Sequence, residues 1–280
     1  MNFFEEIWGC LNESSISSKT IKLHAIEANL DSISFEGLAK PKSLQTPSYA
    51  SFCKVYEISN FPRVKNTDKN AVFLHAIAHI EYSAIDIALD ACYRFRGLPL
   101  QYYRDWMEVA NDEIRHFSKI NEELEKTGTK YGDLPVHNGL FVALQKTQHS
   151  LIDRMAILPR HMEASGLDAN TNILSKIDEN SPLHPLLELI RDEEVSHVAK
   201  GDKWFKYACE QEGIEPNSWL EIVRKYYPKA FENPKPIDKE RRFQAGFSAD
   251  EIAQIELLAT KKIRKTYENS IFYPPRKGSS

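Results

Sequence analysis

The chain carries two Glu-x-x-His motifs, and a lone glutamate precedes each of them at nearly the same distance. The six residues are Glu81, Glu113, His116, Glu163, Glu194 and His197. Residues i and i+3 of a helix share a face, so each motif directs a carboxylate and an imidazole at one point. Four glutamates and two histidines on four helices are the ligand set of a carboxylate-bridged two-metal site in a helical bundle.

The first glutamate and the first motif fit an antiparallel helical hairpin. Glu81 lies 16 residues before Gly97, and Glu113 lies 16 residues after it. At about 1.5 Å of rise per residue, both lie roughly 24 Å from the turn. The spacing therefore predicts that the two carboxylates meet at one height.

The second pair does not fit a simple hairpin. Glu163 is three residues before Gly166, a residue type that often ends helices, whereas Glu194 is 12 residues after Pro182. The heights match only if residues 167–179 continue the third helix after a break. We therefore expect that helix to be interrupted near Gly166, and to kink at Pro159, which lacks a backbone N–H.

The candidate ligands lie within apolar stripes of their helices, which predicts that their polar groups point inward. A buried carboxylate must be protonated, ion-paired or bound to a metal. The alternative to a metal site is a set of buried ion pairs with Arg115, Arg160 or Arg191. His79 is about 160° around the first helix from Glu81. It is interpreted as part of a hydrogen-bonded face under the N-terminal region, with His75, Tyr82 and Asp86.

The periodicity and the breakers predict an all-α protein in three regions. Residues 1–66 form an N-terminal extension packed on a bundle, residues 67–213 form the bundle, and residues 214–280 form a C-terminal helical extension. Helices are predicted from Thr67 or Asp68 to Arg96, over 100–126, from near Gly139, and over 182–212. Residues 129–138 are a long crossover. Later come a short helix over 217–226 and a last helix opened by the capping box of Ser248 and Glu251.

Composition limits the classes of function. The four cysteines are widely spaced and are interpreted as reduced packing residues, which favours a cytoplasmic protein. Neither an export signal nor an 18-residue apolar run is present in the sequence. Residues 228–280 hold 11 basic and 7 acidic residues, a net charge of +4, which leaves −8 on residues 1–227. The basic group at 261–265 is interpreted as a solvated helix face, because aromatic residues do not interleave with its charges. Nucleic-acid binding is not expected, because the predicted bundle is acidic and nucleic-acid affinity needs clustered cations.

Several longer motifs carry a resemblance to a known family. They are His-Ala-Ile-Ala-His-Ile-Glu (75–81), Asp-Glu-Ile-Arg-His-Phe (112–117), Tyr-Gly-Asp-Leu-Pro (131–135), Glu-Ala-Ser-Gly-Leu-Asp (163–168) and Glu-Val-Ser-His-Val-Ala-Lys-Gly (194–201). Over roughly residues 50–230, the chain resembles the ferritin-like proteins grouped as domain-of-unknown-function family 455. The resemblance implies a ferritin-like four-helix bundle with a long crossover.

The resemblance also implies roles for the ligands. Glu81 and Glu163 would be terminal ligands, Glu113 and Glu194 would bridge, and each ion would take one histidine. The residue before Glu194 resembles an aspartate position of the family but is Glu193 here. Asp112 or Glu193 is expected to accept a proton from the second ring nitrogen of a ligand histidine.

These observations predict a function but not a substrate. Oxygen-rich ligands with one imidazole per ion suit iron or manganese, so the expected cofactors are two Fe ions, or Mn ions, per chain. The first interpretation is a diiron oxidoreductase that activates O2 to oxidise or hydroxylate a small organic substrate. The alternatives are an iron-binding or ferroxidase protein without an organic substrate, and a tRNA-modifying hydroxylase. The expected partners are O2 and a small molecule, without a membrane, and a homodimer stays open.

Overall fold

A computed structural model describes residues 1–36, 40–231 and 236–258 of the 280-residue chain. The described residues are predominantly helical, which confirms the predicted all-α class at this level. The chain divides into two compact units. Unit 1 contains Met1–Arg154 and Asp178–Glu193, and unit 2 contains Met155–Ile177 and the residues from Glu194 onward. The basic group at 261–265 lies outside the described residues.

A helical hairpin forms the centre of unit 1. Helix α3 spans Lys69–Arg94 and helix α4 spans Leu100–Lys126, close to the predicted bounds. Asp68 caps α3 by accepting hydrogen bonds from two backbone N–H groups of the first turn. The hairpin turns at Gly97 and α4 ends before Gly128, and both glycines have a positive φ that favours glycine. The short turn around Gly97 therefore lets α4 pack back on α3.

Two helices that the sequence analysis did not predict lie in the N-terminal region. They are α1 (Phe3–Leu11), which packs on α3, and α2 (Ile16–Ala28), which packs on α4. Lys19 of α2 is fully buried, and its Nζ lies 2.8 Å from Oδ1 of Asp86. The N-terminal region therefore completes a buried ion pair with the central hairpin, since a buried lysine needs a counter-charge.

The crossover contains a short strand. Strand β1 (Val55–Tyr56) pairs in parallel with strand β2 (Val136–His137), and Val55 aligns with Val136. Helix α5 (Gly139–Lys146) follows β2 and packs on α3. Two-residue strands have too few positions for a periodic signal, so the sequence predicted only a loop here.

Unit 2 holds most of an irregular helical stretch. Helix α6 (Leu151–Ile157) begins in unit 1 and leads into a π-helical segment over Leu158–Glu163 and then α7 (Ala164–Leu174). Pro159 lies in the π segment, as expected where a missing N–H disturbs the hydrogen-bond ladder. The predicted interruption near Gly166 is wrong. Helix α7 passes through Gly166, and the helical breaks lie instead between α5 and α6 and in the π segment.

The remaining helices follow in order along the chain. They are α8 (Leu183–Glu212), α9 (Trp219–Tyr226), α10 (Lys239–Gln244) and α11 over residues 249–258. The capping box of α11 is confirmed: Ser248 N–H donates to Oε2 of Glu251 at 2.8 Å, and Glu251 N–H donates to Oγ of Ser248 at 3.2 Å. Glu251 also binds the buried Arg160, with Oε1 2.7 Å from Nη2. This contact ties α11 to the π segment.

Two findings bear on the cell compartment. Among the described residues, one helix, α3, is long and apolar enough to cross a membrane, but 61% of its most apolar window is buried inside the protein. A buried core helix has the same composition, so this finding is consistent with a soluble protein. The four cysteines are free and buried, which confirms their interpretation as packing residues. The cytoplasmic location stays a prediction.

Candidate metal centre

The first donor cluster lies in unit 1 and consists of Glu81, Glu113 and His116. One ligand atom from each residue lies within 4.8 Å of the others. Nδ1 of His116 is 3.4 Å from Oε2 of Glu81 and 3.7 Å from Oε2 of Glu113. All three side chains are buried, and His116 is fully so. The prediction that the two carboxylates meet at one height along the α3–α4 hairpin is confirmed.

The second donor cluster lies in unit 2 and consists of Glu163, Glu194 and His197. Its ligand atoms also lie within 4.8 Å of one another. Nδ1 of His197 is 3.4 Å from Oε1 of Glu163 and 3.6 Å from Oε1 of Glu194. Glu163 ends the π segment, and the other two residues lie one helical turn apart on α8. The structure therefore brings the residues of each predicted motif together with the glutamate that was paired with it.

These distances test whether the residues present fit a metal ion. Typical N–H···O hydrogen bonds span 2.7–3.2 Å, so the four separations of 3.4–3.7 Å are longer than good hydrogen bonds. Two donors that each lie about 2.0–2.2 Å from one ion are roughly 2.8–3.8 Å apart for angles of about 90–120°. The histidine–glutamate separations of both clusters match that spacing. Carboxylate oxygen with imidazole nitrogen is also a donor set that iron and manganese accept.

Close approach of the backbone supports the position of Glu163. A Cβ added to Gly201 of α8 would lie 2.2 Å from Cβ of Pro159, far inside van der Waals contact. Glycine at position 201 therefore lets the π segment lie against α8. The contact between Gly201 and Pro159 was not predicted from the sequence, because the two positions are distant in the chain.

A second contact orients His116 of the first cluster. Nε2–H of His116 donates to Oε2 of Glu193 at 2.6 Å, which leaves Nδ1 on the side of Glu81 and Glu113. Burial acts to raise the pKa of Glu193, but hydrogen bonds from Arg115 and His116 outweigh it and lower the pKa. Glu193 is therefore an ionised acceptor. Such outer partners fix the tautomer and the orientation of a ligand histidine.

Glu193 is itself held by Arg115. Nη1 of Arg115 lies 3.0 Å and 2.7 Å from the two oxygens of Glu193, and Nη2 lies 2.5 Å from Oδ1 of Asp112. The predicted contact with a histidine of the motifs is confirmed for Glu193, whereas such a contact of Asp112 stays a prediction. The role of Arg115 was missed, since sequence analysis considered it only as a direct partner of the candidate ligands.

The carboxylates of the first cluster act on the charge of His116. Burial acts to lower its pKa, but Glu113 and Glu81 outweigh burial and raise the pKa to about 11. In the protein without metal, a protonated imidazole therefore balances part of the carboxylate charge. A metal ion bound at Nδ1 has to replace a proton, so metal binding there competes with protons.

The three arginines of the alternative interpretation are engaged by other carboxylates. Arg160 binds Asp202 at 3.1 Å as well as Glu251, and its guanidinium lies over aromatic rings of unit 2. Arg191 lies 3.0 Å from Asp192. Arg115 binds Asp112 and Glu193, as described above. Each arginine therefore has an acidic partner outside the six candidate ligands.

The other polar face of α3 is hydrogen-bonded as predicted. Asp86 contacts Lys19 and Ser48, both from the N-terminal region. His79 receives the hydroxyl hydrogen bond of Tyr131 at Nδ1, and its Nε2–H donates to a backbone carbonyl. These two hydrogen-bond partners lie in the crossover, while Tyr49 of the N-terminal extension packs edge-on against the His79 ring, with ring centroids 4.9 Å apart. Both nitrogens of His79 are thus used in contacts away from the first cluster.

Comparisons with known proteins give a family but not an activity. Residues 12–253 match the family described as "Protein of unknown function (DUF455)". An uncharacterized protein of Haemophilus influenzae is similar, with 37% identity over 208 residues, covering 70% of this chain and 72% of that relative. A search of solved structures gave no match.

Proposed function

The chain belongs to the DUF455 family of proteins of unknown function, and we propose that it is a two-metal carboxylate protein that activates O2. One observation carries the proposal. Each of the two clusters consists of two glutamates and one histidine. Within each cluster, the donor atoms of the three residues lie within 4.8 Å of one another. We propose that each cluster holds one ion through its histidine and its lone glutamate, and that the glutamate of its motif is shared between the ions.

The proposal extends to the architecture that the resemblance implies. In a ferritin-like bundle, Glu113 and Glu194 would bridge the two ions, and Glu81 and Glu163 would each bind one. The support is the matched spacing of the two motifs in the sequence, together with the geometry within each cluster. The bundle and the bridging roles are therefore part of the proposal.

The donor set favours iron or manganese. Each cluster offers oxygen ligands and one imidazole, and thiolates are absent from both, so a closed structural zinc site of the cysteine type does not fit. Two redox-active ions bound by these residues would supply the electrons that O2 needs. This chain's own residues would hold and orient the ions, and Trp106 and Phe117 of the same helix as Glu113 and His116 are buried.

The substrate that fits this chemistry best is a small organic molecule. The residues of the first cluster lie within apolar stripes of the α3 and α4 sequences, and the net charge of −8 on residues 1–227 opposes nucleic acid. A tRNA-modifying hydroxylase is therefore not preferred. An iron-oxidising protein without an organic substrate shares the same ligands, so experiment has to separate the two.

Metal content tests the first part of the proposal. Protein loaded with ferrous iron without oxygen, then freed of excess metal, should retain two ions per chain by elemental analysis. Less than one ion per chain in folded wild-type protein would contradict the proposal. The same sample mixed with O2 should consume it in an oxygen electrode. Consumption that organic compounds never accelerate would favour the iron-oxidising alternative.

A further inference from the structure

We propose that Arg115 and Glu193 are positioning residues that hold the His116 imidazole ready for a metal ion, so that the first cluster binds its ion more tightly than the second. This inference rests on the proposed function, because it concerns how the proposed ions are held. The two ions would load in a fixed order, and neither Arg115 nor Glu193 would contact an ion directly.

The contacts form a chain from the interior to the surface of unit 1. The His116 side chain is fully buried, that of Glu193 is 28% exposed and that of Arg115 is 39% exposed. Arg115 reaches both oxygens of Glu193, and Glu193 in turn accepts the hydrogen bond of the imidazole. Nη1 of Arg115 contacts both oxygens of Glu193 while Nη2 binds Asp112, so charge-assisted contacts restrain the Glu193 carboxylate. Glu193 is therefore held before any ion arrives.

The held carboxylate determines which ring nitrogen faces the donors. With Nε2–H directed at Glu193, Nδ1 is the atom 3.4 Å from Glu81 and 3.7 Å from Glu113. A freely rotating imidazole would have to lose rotamer freedom on binding metal, whereas this one loses little. Outer partners of this kind typically contribute about 10–100-fold to metal affinity.

The glutamates of the second cluster are more exposed to solvent than those of the first cluster. Its glutamate side chains are 21% and 13% exposed, against 8% and 1% in the first cluster. One of them, Glu163, lies at the end of the π segment rather than within a regular helix. More exposed ligands on irregular backbone have more conformations to lose when an ion binds. The ion of the second cluster should therefore bind second and leave first.

A metal titration measures the two steps. Metal-free, full-length protein at pH 7 is titrated with Mn2+, and free Mn2+ is followed by electron paramagnetic resonance. Wild type should show two steps that differ by tenfold or more. Glu193→Gln should weaken the tighter step by about 10–100-fold, Arg115→Met should weaken it less, and both should affect the looser step less than the tighter one.

A matched control comes from the same helix. Arg104 of α4 also makes a partly exposed ion pair, with Asp31 at 2.8 Å, and its side chain is 45% exposed. Arg104→Met removes the same charge as Arg115→Met but leaves His116 untouched. It should therefore leave both steps unchanged. A circular dichroism melt of each variant separates weaker binding from failure to fold, and Arg115→Lys retains the charge if the methionine variant does not fold.

The metal-free protein provides a readout that a general loss of stability would not move. Nitrogen-15 NMR of the histidine rings should show a slowly exchanging Nε2–H for His116 in the wild type and in Arg104→Met. The exchange of that proton should be faster in Arg115→Met, and its resonance should shift upfield in Glu193→Gln.

The outcomes separate this inference from the proposed function. If the wild type binds less than one ion, the proposed function fails. If it binds two ions in equal steps, the loading order is overturned. If the Glu193 and Arg115 variants change neither the tighter step nor the His116 resonance, the positioning role is overturned. In both cases the metal site stands.

Discussion

The two donor clusters reach one geometry from different scaffolds. In each, the histidine nitrogen lies 3.4 Å from the lone glutamate and 3.6–3.7 Å from the glutamate of its own motif. The first cluster draws its ligands from two regular helices, whereas the second takes Glu163 from a π segment that contains Pro159. The Glu-x-x-His motif therefore sets the spacing of the donor atoms in both clusters. The packing of the surrounding backbone, which differs between the clusters, determines how rigidly the donor residues are held.

The largest effect is expected from the glutamates of the two motifs. If Glu113 and Glu194 bridge as proposed, replacing either with alanine removes a bond to both ions and leaves their repulsion less screened. Glu113→Ala and Glu194→Ala should therefore lower the metal content, measured by elemental analysis, more than Glu81→Ala does. His79→Ala should retain both ions, because both ring nitrogens of His79 are bound elsewhere. Equal losses in the three glutamate variants would contradict the bridging roles.

A clash introduced into unit 2 should affect the second cluster alone. Gly201→Ala places a methyl group against Pro159, and overpacking of this kind costs about 1–3 kcal/mol in the free energy of unfolding. The displaced π segment carries Glu163, so the looser Mn2+ step should weaken while the tighter step stays. Gly166→Ala in α7 is the matched control, because its added Cβ has no neighbour within 4 Å. The free energy of unfolding of Gly166→Ala should exceed that of the wild type by about 0.5–1 kcal/mol.

Buried histidines predict a loss of stability in acid. Burial is the largest cause that lowers the pKa of His75 and His79, each to about 4 from an ordinary value of 6.5. Below pH 6.5 the unfolded chain binds these protons before the folded protein does. The stability that the neutral His75 and His79 contribute is therefore fully present above pH 6.5, and it is lost as the pH falls towards 4.

Urea unfolding at pH 7 and pH 5 measures this loss. The contribution of each histidine should be about 1–2 kcal/mol at pH 5. His75→Gln should lose less stability than the wild type over that interval, whatever its stability at pH 7. The same pH dependence in variant and wild type would show that His75 does not cause the loss.

The smallest effects are expected at two helix caps, one in each unit. Asp68 caps α3 and Ser248 caps α11. Replacing either with alanine should lower the free energy of unfolding by about 1 kcal/mol. Ser248→Ala should also raise hydrogen exchange in α11 without changing metal content. An effect of Asp68→Ala above about 3 kcal/mol would indicate a role beyond capping.

The sequence predicted the parts of the fold that depend on local signals. Helices α3, α4 and α8 have clear periodicity and clear ends, such as Gly128 and Gly213, and their bounds were close to those observed. The two clusters were also predictable, because i and i+3 geometry is local. Helices α1 and α2 were missed because their apolar residues read as short runs among polar ones.

What the sequence did not predict depends on contacts between distant residues. Gly166 reads as a helix end, yet the helix continues, because a glycine inside a helix costs only about 1 kcal/mol and packing offsets it. The contact of Gly201 with Pro159 and the contact of Arg115 with Glu193 join residues far apart in the chain. Periodicity carries no information on such pairs.

The division of the chain affects how it is synthesised. Unit 1 takes its last segment from Asp178–Glu193, which follows the first segment of unit 2. On a ribosome, domains tend to fold as units from the N-terminus at about 5–20 residues per second. Helices α3 and α4 can pair early, but unit 1 cannot be completed until Glu193 has left the exit tunnel. At that rate Glu193 is synthesised about 4–15 seconds after His116, so the candidate ligands of the first cluster precede their positioning carboxylate by seconds.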